Sequence, residues 1–202
     1  MYSTIIFDLS EVLIAGLVGV EHLISVKTGI HQDKISENLY SATIFELFRG
    51  EITETFFLNH LIQSNNWDNL SVAELQLIIR NNFCKRIPGT IRILQRLRKN
   101  YELILLSDHA KEWVEFIKKE HPFLKTFDHH FFSFEIGHLK QEPITFSIVL
   151  EKITKKPSEC IFIDDMASNI AIANSVDIHG IHFENHRQLA KNLVALGVIL
   201  DV

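Results

Sequence analysis

The feature that most constrains this chain is a series of short apolar runs, several of which end abruptly in acids. "TIIF" (4–7), "LILL" (103–106), "HFFSF" (130–134), "CIFI" (160–163) and "GIHF" (180–183) are near-continuously apolar, as strands covered on both faces are. Between the later runs lie helical patterns. "PGTIRILQRLRKN" begins with Pro88 and Gly89 and aligns Ile91, Leu94 and Leu97 on one face, and "PITFSIVLEKI" and "ASNIAIANS" read the same way. Strands alternating with helices predict an α/β fold built on a parallel sheet.

One region breaks the alternation. From Gly16 to Arg86 the sequence offers no strand, only helix-like segments: "VEHLISVKTG", "ISENLYSATIFELFRG", "TETFFLNHLIQSN" and "SVAELQLIIRNNF". Gly29, Gly50 and the polar "SNNWDN" separate them as turns. The expected organisation is a core of residues 1–15 and 87–202 interrupted by a helical insert, 16–86. At 202 residues, with 47% hydrophobic residues and 15 Phe, the chain has ample material for a packed core, which argues against disorder.

The ends of the apolar runs carry the functional signal. In open α/β sheets ligands bind beyond the carboxyl ends of strands. "TIIF" runs into Asp8, "LILL" into Ser107 and Asp108, and "CIFI" into Asp164 and Asp165. A lone acid at such a place is ordinarily a helix cap or a turn residue, and Asp108 fits that description. Acids converging from separate strands need a cation between them, and an oxygen-rich cluster suits Mg²⁺.

These segments, in this order, resemble the haloacid dehalogenase superfamily, in its phosphatase-like branch with a helical cap. "IIFDLSEVLI" is similar to the first motif, "LILLSD" to the second, "GHLKQEPITF" to the third and "IFIDDMASNIAIA" to the fourth, with Asn169 in its usual place. "FRGEITETFF" resembles a stretch common in the helical caps. The resemblance covers essentially the whole chain. It implies a Rossmann-like three-layer core with an inserted all-helical cap, and hydrolysis of a small phosphorylated metabolite, a sugar phosphate being one candidate. It further implies that Asp8 attacks phosphorus to give an aspartyl-phosphate that water then cleaves. Mg²⁺ would be held by the Asp8 carboxylate, the Ser10 backbone carbonyl and Asp165, with Asp164 beside it or acting through water. Ser107 and Lys140 would bind the phosphoryl group, and the backbone N–H groups of Leu9, Ser10 and Asp108 would complete its cradle.

Ser10 is the main departure from that pattern. Phosphatases of the superfamily usually carry a second Asp here, which protonates the leaving oxygen and then activates water. A serine hydroxyl does neither well at neutral pH, and such help is typically worth roughly 10²–10⁴-fold. Three relatives lack the acid. Dehalogenases also lack the paired metal-binding acids that this chain keeps. Phosphonatases use a cap lysine, for which Lys27 and Lys34 are the candidates, without a distinguishing motif. Sugar-phosphate phosphatase-like members with Gly at this position fit best. The competing expectation is a degenerate member that binds metal and phosphate with negligible turnover. Gln141 stands where Pro commonly follows the motif lysine. Asp177 replaces a usual Gly, a change that Asp tolerates because it enters the left-handed region more readily than most residues.

Other features bound the reading. A net charge of −5 argues against a nucleic-acid groove. The longest apolar run, "VLIAGLVGV", falls short of the roughly 20 residues that a membrane span requires. The N-terminus lacks a signal-peptide pattern. Cys84 and Cys160 are far apart with no CxxC spacing, so inert buried thiols and a cytoplasmic setting are expected. His179 and His182, three apart on a presumed strand, point to opposite faces and would chelate poorly. Nothing in the sequence speaks to oligomeric state.

Overall fold

A computed structural model describes residues 1–200. Five parallel strands form one sheet: β1 (Thr4–Phe7), β2 (Glu102–Ser107), β3 (His129–Phe132), β4 (Cys160–Asp164) and β5 (His179–His182), in the order β3-β2-β1-β4-β5. β1 is central, with Phe7 opposite Leu105 of β2 and Ile163 of β4. After β1 the chain builds outward through β2 and β3, then returns to the other side of β1 with β4. That reversal opens a crevice at the carboxyl ends of β1 and β4. Asp8 and Asp164 stand there.

The alternation of side chains along each strand sorts the core into two layers. Ile5, Phe7, Leu103, Leu105, Ile161 and Ile163 enter the larger apolar cluster on one face. Ile6, Ile104, Leu106 and Phe162 enter the smaller one, packed against Phe146 and Val149 of α9 (Pro143–Ile153) and Ile170 and Ala173 of α10 (Ala167–Ser175). The opposite face is covered by α6 (Thr90–Leu97), α7 (Lys111–Glu120) and α11 (His186–Ala195), which contribute Leu94, Leu97, Val114, Ile117, Leu189 and Leu193. This is the three-layer, Rossmann-like arrangement expected of near-continuously apolar strands.

Between β1 and α6 the described residues form five helices: α1 (Val20–Thr28), α2 (Gln32–Leu39), α3 (Ala42–Phe48), α4 (Glu54–Asn65) and α5 (Val72–Phe83). Their ends carry local signals. Gly29 closes α1 in the left-handed region, Thr53 caps α4 by accepting from the Phe56 N–H, and Ser71 and Glu74 form a reciprocal capping box on α5. The stretches of chain that enter and leave this segment meet at an isolated antiparallel bridge between Ile14 and Arg86. Asp177 adopts φ 63°, the left-handed conformation anticipated for it.

Two local readings need correction. "ISENLYSATIFELFRG" is not one helix: the chain breaks at Tyr40, where extended Ser41 starts α3. "HFFSF" does not stay a strand either. It ends at Phe132, and Ser133 opens a one-turn helix, α8 (Ser133–Ile136), because its hydroxyl accepts from the His109 N–H at 3.0 Å and Gly137 closes the turn at φ 78°.

Candidate active site

Asp8 is held at the tip of β1, where its N–H donates to the Ile163 carbonyl at 2.9 Å. Its Oδ1 accepts from the Leu9 N–H at 2.7 Å and lies 2.7 Å from Lys140 Nζ. The same ammonium donates to Asp164 Oδ2 at 2.7 Å. Lys140 is therefore no solvated surface lysine; it is only 3% exposed and bridges the acids of β1 and β4. Its position is set from below, because its own N–H donates to both oxygens of Asp108, at 3.2 and 3.1 Å.

Asp164 is the most constrained acid of the cluster. Oδ1 accepts from the Met166 N–H at 2.7 Å, and the Asn169 amide donates to both oxygens at 3.1 Å. Asp165, one residue beyond the strand, is half-buried and lines the cavity above the site. One oxygen from each of Asp8, Asp164 and Asp165 falls within 4.8 Å of the others. The Ser107 hydroxyl, at the end of β2, is buried and unpartnered.

The electrostatics follow from four carboxylates facing one ammonium. Burial raises Asp8 well above the ordinary carboxylate range; Lys140 opposes this, while Asp164 and Asp165 add to it. Burial, then Asp164, pushes Asp165 up to about 6. Burial also pushes Asp108 up to about 6 against the pull of Lys140. For Lys140 itself burial disfavours the charge, yet Asp164, Asp8 and Asp108 outweigh it and hold the pKa above the usual lysine value. The cluster is short of positive charge and consists of hard oxygen donors within one ion's reach of each other. That donor set fits a small divalent cation such as Mg²⁺.

Ser10, two residues after Asp8, has a histidine beside it. Ser10 Oγ is 3.4 Å from His109 Nε2 and lines the cavity. His109 escaped the sequence reading, although it follows Asp108 directly at a strand end. It is buried against Phe48, Phe83 and Trp113, and burial, then Lys140, lowers its pKa to about 3. It is thus a neutral imidazole. Glu11 does not replace the missing acid. Held at φ 58°, it accepts from the Gly16 N–H at 2.6 Å. Gly16 is required here, since a Cβ would come within 2.8 Å of Ser10 Cβ.

Over these groups lies a cavity of about 460 Å³. It is walled by Tyr40, Ile44, Phe45 and Phe48 from the α2–α3 region, together with Phe83 and Trp113. Of the remaining residues singled out from sequence, Gln141 also lines the cavity and the others lie elsewhere. Neither Lys27 nor Lys34 lines the cavity, and Lys27 pairs with Glu74 at the surface. His182 bonds the Asp165 carbonyl at 2.8 Å through its ring, and His179 sits by Tyr2. Cys160 is buried, but Cys84 is exposed, contrary to expectation. Desolvation, then Glu120, raises the Cys84 thiol above its ordinary value.

The family model for haloacid dehalogenase-like hydrolases matches residues 2–177. The chain belongs to that family. Among curated proteins, it is 27% identical over 206 residues to acyl-CoA dehydrogenase family member 10 of Mus musculus, covering 96% of this chain and 19% of that protein. It is 29% identical over 106 residues to D-ribitol-5-phosphate phosphatase of Bacteroides thetaiotaomicron, covering 50% of this chain and 52% of the relative. The haloacid dehalogenase-like chain thus spans about half or less of the length of these relatives. Its fold matches a solved haloacid dehalogenase family enzyme from Bacteroides thetaiotaomicron, in complex with magnesium and inorganic phosphate. That match has a TM-score of 0.76 at 22% identity over 92% of this chain and 96% of the other. Among the described residues no helix is long and apolar enough to cross a membrane.

Proposed function

We propose that this haloacid dehalogenase-like chain is a Mg²⁺-assisted hydrolase of small phosphate monoesters, with residues 16–86 acting as a cap over a core of 1–15 and 87–202. The observation that carries the reading is the Asp8–Lys140–Asp164 bridge, with both links at 2.7 Å, at the carboxyl edge of the sheet. A structural ion pair has no need of Asp165 in the same cluster, nor of a cavity above it. The phosphatase relative and the magnesium and phosphate found with the matching fold support the same chemistry.

The geometry supports the following roles. Lys140 opposes the effect of burial on Asp8 and aims one carboxylate oxygen, the other being free to attack phosphorus. Ser107 and Lys140 bind phosphoryl oxygens, with the N–H groups of Leu9, Ser10 and Asp108 as further donors. Asp8, Asp164, Asp165 and the Ser10 carbonyl would hold the cation, which offsets repulsion between the carboxylate and the anionic ester. Water then cleaves the aspartyl-phosphate and restores Asp8.

A second reading rests on Ser10: with no carboxyl acid two residues after Asp8, the chain would bind metal and phosphate with negligible turnover. Phosphate release from a panel of monoesters under saturating Mg²⁺ separates the two. Turnover that disappears in a folded Asp8→Asn variant is the expected result. Activity retained by that variant would dismiss Asp8 as nucleophile, and no turnover on any ester would leave the binding reading.

A further inference from the structure

The cavity above Asp8 has an uneven chemistry. Leu17, Val18, Ile44, Phe45, Phe48 and Phe83 line it from the helical segment, and Tyr40 is the only residue of that segment in the lining with a hydrogen-bonding side chain. Trp113 of α7, itself fully buried, backs this wall beside Phe48 and Phe83, at centroid distances of 5.9 and 5.3 Å. The other polar lining residues cluster by the reacting groups. Ser10 and Glu11 follow Asp8, His109 follows Asp108, Gln141 follows Lys140, and Asn169 is bonded to Asp164. One end is thus built for an anion and the other for apolar, ring-shaped surface.

A polyol would fit this poorly. Each hydroxyl moved from water into an apolar wall without a partner costs about 1–3 kcal/mol, and one phenol cannot serve several. An aromatic ring gains from burial there and from tilted contacts with its neighbours. Ser10 points independently to the same leaving group. With Ser10 in place of a carboxyl acid two residues after Asp8, the departing oxygen carries its own charge. A phenolic oxygen does so with a pKa of about 10, against about 16 for water.

We propose that the substrate is a phosphate monoester of an aromatic hydroxyl, whose ring sits against Phe45 and Phe48. The proposal rests on the hydrolase reading for its chemistry and on the cavity for its selectivity. Asp8 forms a bond to phosphorus as the bond from phosphorus to the aryl oxygen breaks. The bonding pair departs on the aryl oxygen, which takes a proton from water. The hydroxide left by that transfer adds to phosphorus, the bond to Asp8 breaks, and inorganic phosphate leaves. The sum is ester plus one water to phenol plus phosphate.

The test has a turnover arm and a binding arm on the full chain with Mg²⁺. Phenyl and naphthyl phosphates should exceed glycerol phosphate in kcat/KM by about hundredfold, from ring burial and leaving-group acidity together. By calorimetry, phenylphosphonate, which cannot be hydrolysed, should bind at least about tenfold more tightly than methylphosphonate or dihydroxypropylphosphonate. Phe45→Ser should remove most of that preference while leaving the affinity for inorganic phosphate unchanged; Phe45→Leu serves if the serine variant does not fold. Glycerol phosphate turned over as fast as the aryl esters would overturn the proposal and leave the hydrolase reading standing. Ring-selective phosphonate binding without turnover of any ester would remove the hydrolase reading and the substrate assignment with it, leaving a site that only binds aryl phosphates. Equal or no binding of the phosphonates would overturn the proposal.

Discussion

Replacing Lys140 with Met keeps most of the side-chain volume and removes one charge from the most crowded electrostatic site in the molecule. The ammonium makes two bonds of 2.7 Å, to Asp8 Oδ1 and Asp164 Oδ2, where the lysine side chain is 4% exposed and the carboxylates 6% and 0%. Removing one partner of such a buried group costs about 3–5 kcal/mol, because the remaining charges stay desolvated and unpaired. For a domain of this size 1 kcal/mol shifts Tm by roughly 2–4 °C, so the drop in EDTA near neutral pH should be about 6–20 °C. Two further readouts separate lost charge from lost packing. Lys140 is the force that lowers Asp8, so its removal raises Asp8 further above its unfolded value. A raised acid binds its proton in the folded state first, and the variant should regain stability as pH falls and lose it as pH rises. Added Mg²⁺ should recover more Tm in the variant than in the parent, since the deficit is one of positive charge. Thermal scans by circular dichroism, between pH 5 and 8 and with and without Mg²⁺, measure all three. A Tm loss indifferent to both pH and metal would refute the electrostatic account and make Lys140 a packing residue.

Three other outcomes can be read with the same material. Glu54 is 2% exposed and accepts from Trp113 Nε1 at 2.8 Å, Gln76 Nε2 at 2.9 Å and Arg80 at 2.7 Å, tying α4 to α5 and α7. Glu54→Ala should cost about 2–4 kcal/mol in denaturant unfolding, somewhat less than a fully buried pair because Arg80 retains solvent; a loss under about 1 kcal/mol would show that this tie is idle. His109 is held neutral, its pKa lowered from 6.5 to about 3, so below about pH 6.5 the unfolded chain takes a proton that the folded chain refuses. Stability should therefore fall with acid through that window by more in the parent than in His109→Asn, and parallel pH–Tm curves would exclude this contribution. Ser10→Asp should raise turnover of alkyl phosphates more than of aryl phosphates, because only the former need leaving-group protonation. Equal changes on both would mean that proton transfer is not what limits the rate.

The sequence by itself determined the parts of this protein that local chemistry dictates. Strands buried on both faces must be continuously apolar, so β1, β2 and β4 were legible, and so were the acids that end them. Asp8, Asp108, Asp164 and Asp165 could be named because each interrupts an apolar run. The left-handed turn at Asp177 and the turns at Gly29 and Gly50 were legible for the same reason, since backbone conformation follows residue type at such points. Tertiary structure decided everything that depends on elements far apart in the chain. Lys140 could be named only through the motif that it sits in; its bridge exists only once β1 and β4 lie side by side and two carboxylates close on its Nζ. Ser133 reads as part of a strand until the N–H of His109, 24 residues away in sequence, donates to its hydroxyl and turns the chain. The helix break at Tyr40 and the cavity walled by Phe45, Phe48, Phe83 and Trp113 carry no periodic signature, because they are made by four helices meeting over a sheet edge. Periodicity tells which face of a helix is buried. What that face is buried against, whether core or ligand, is fixed only when the elements pack.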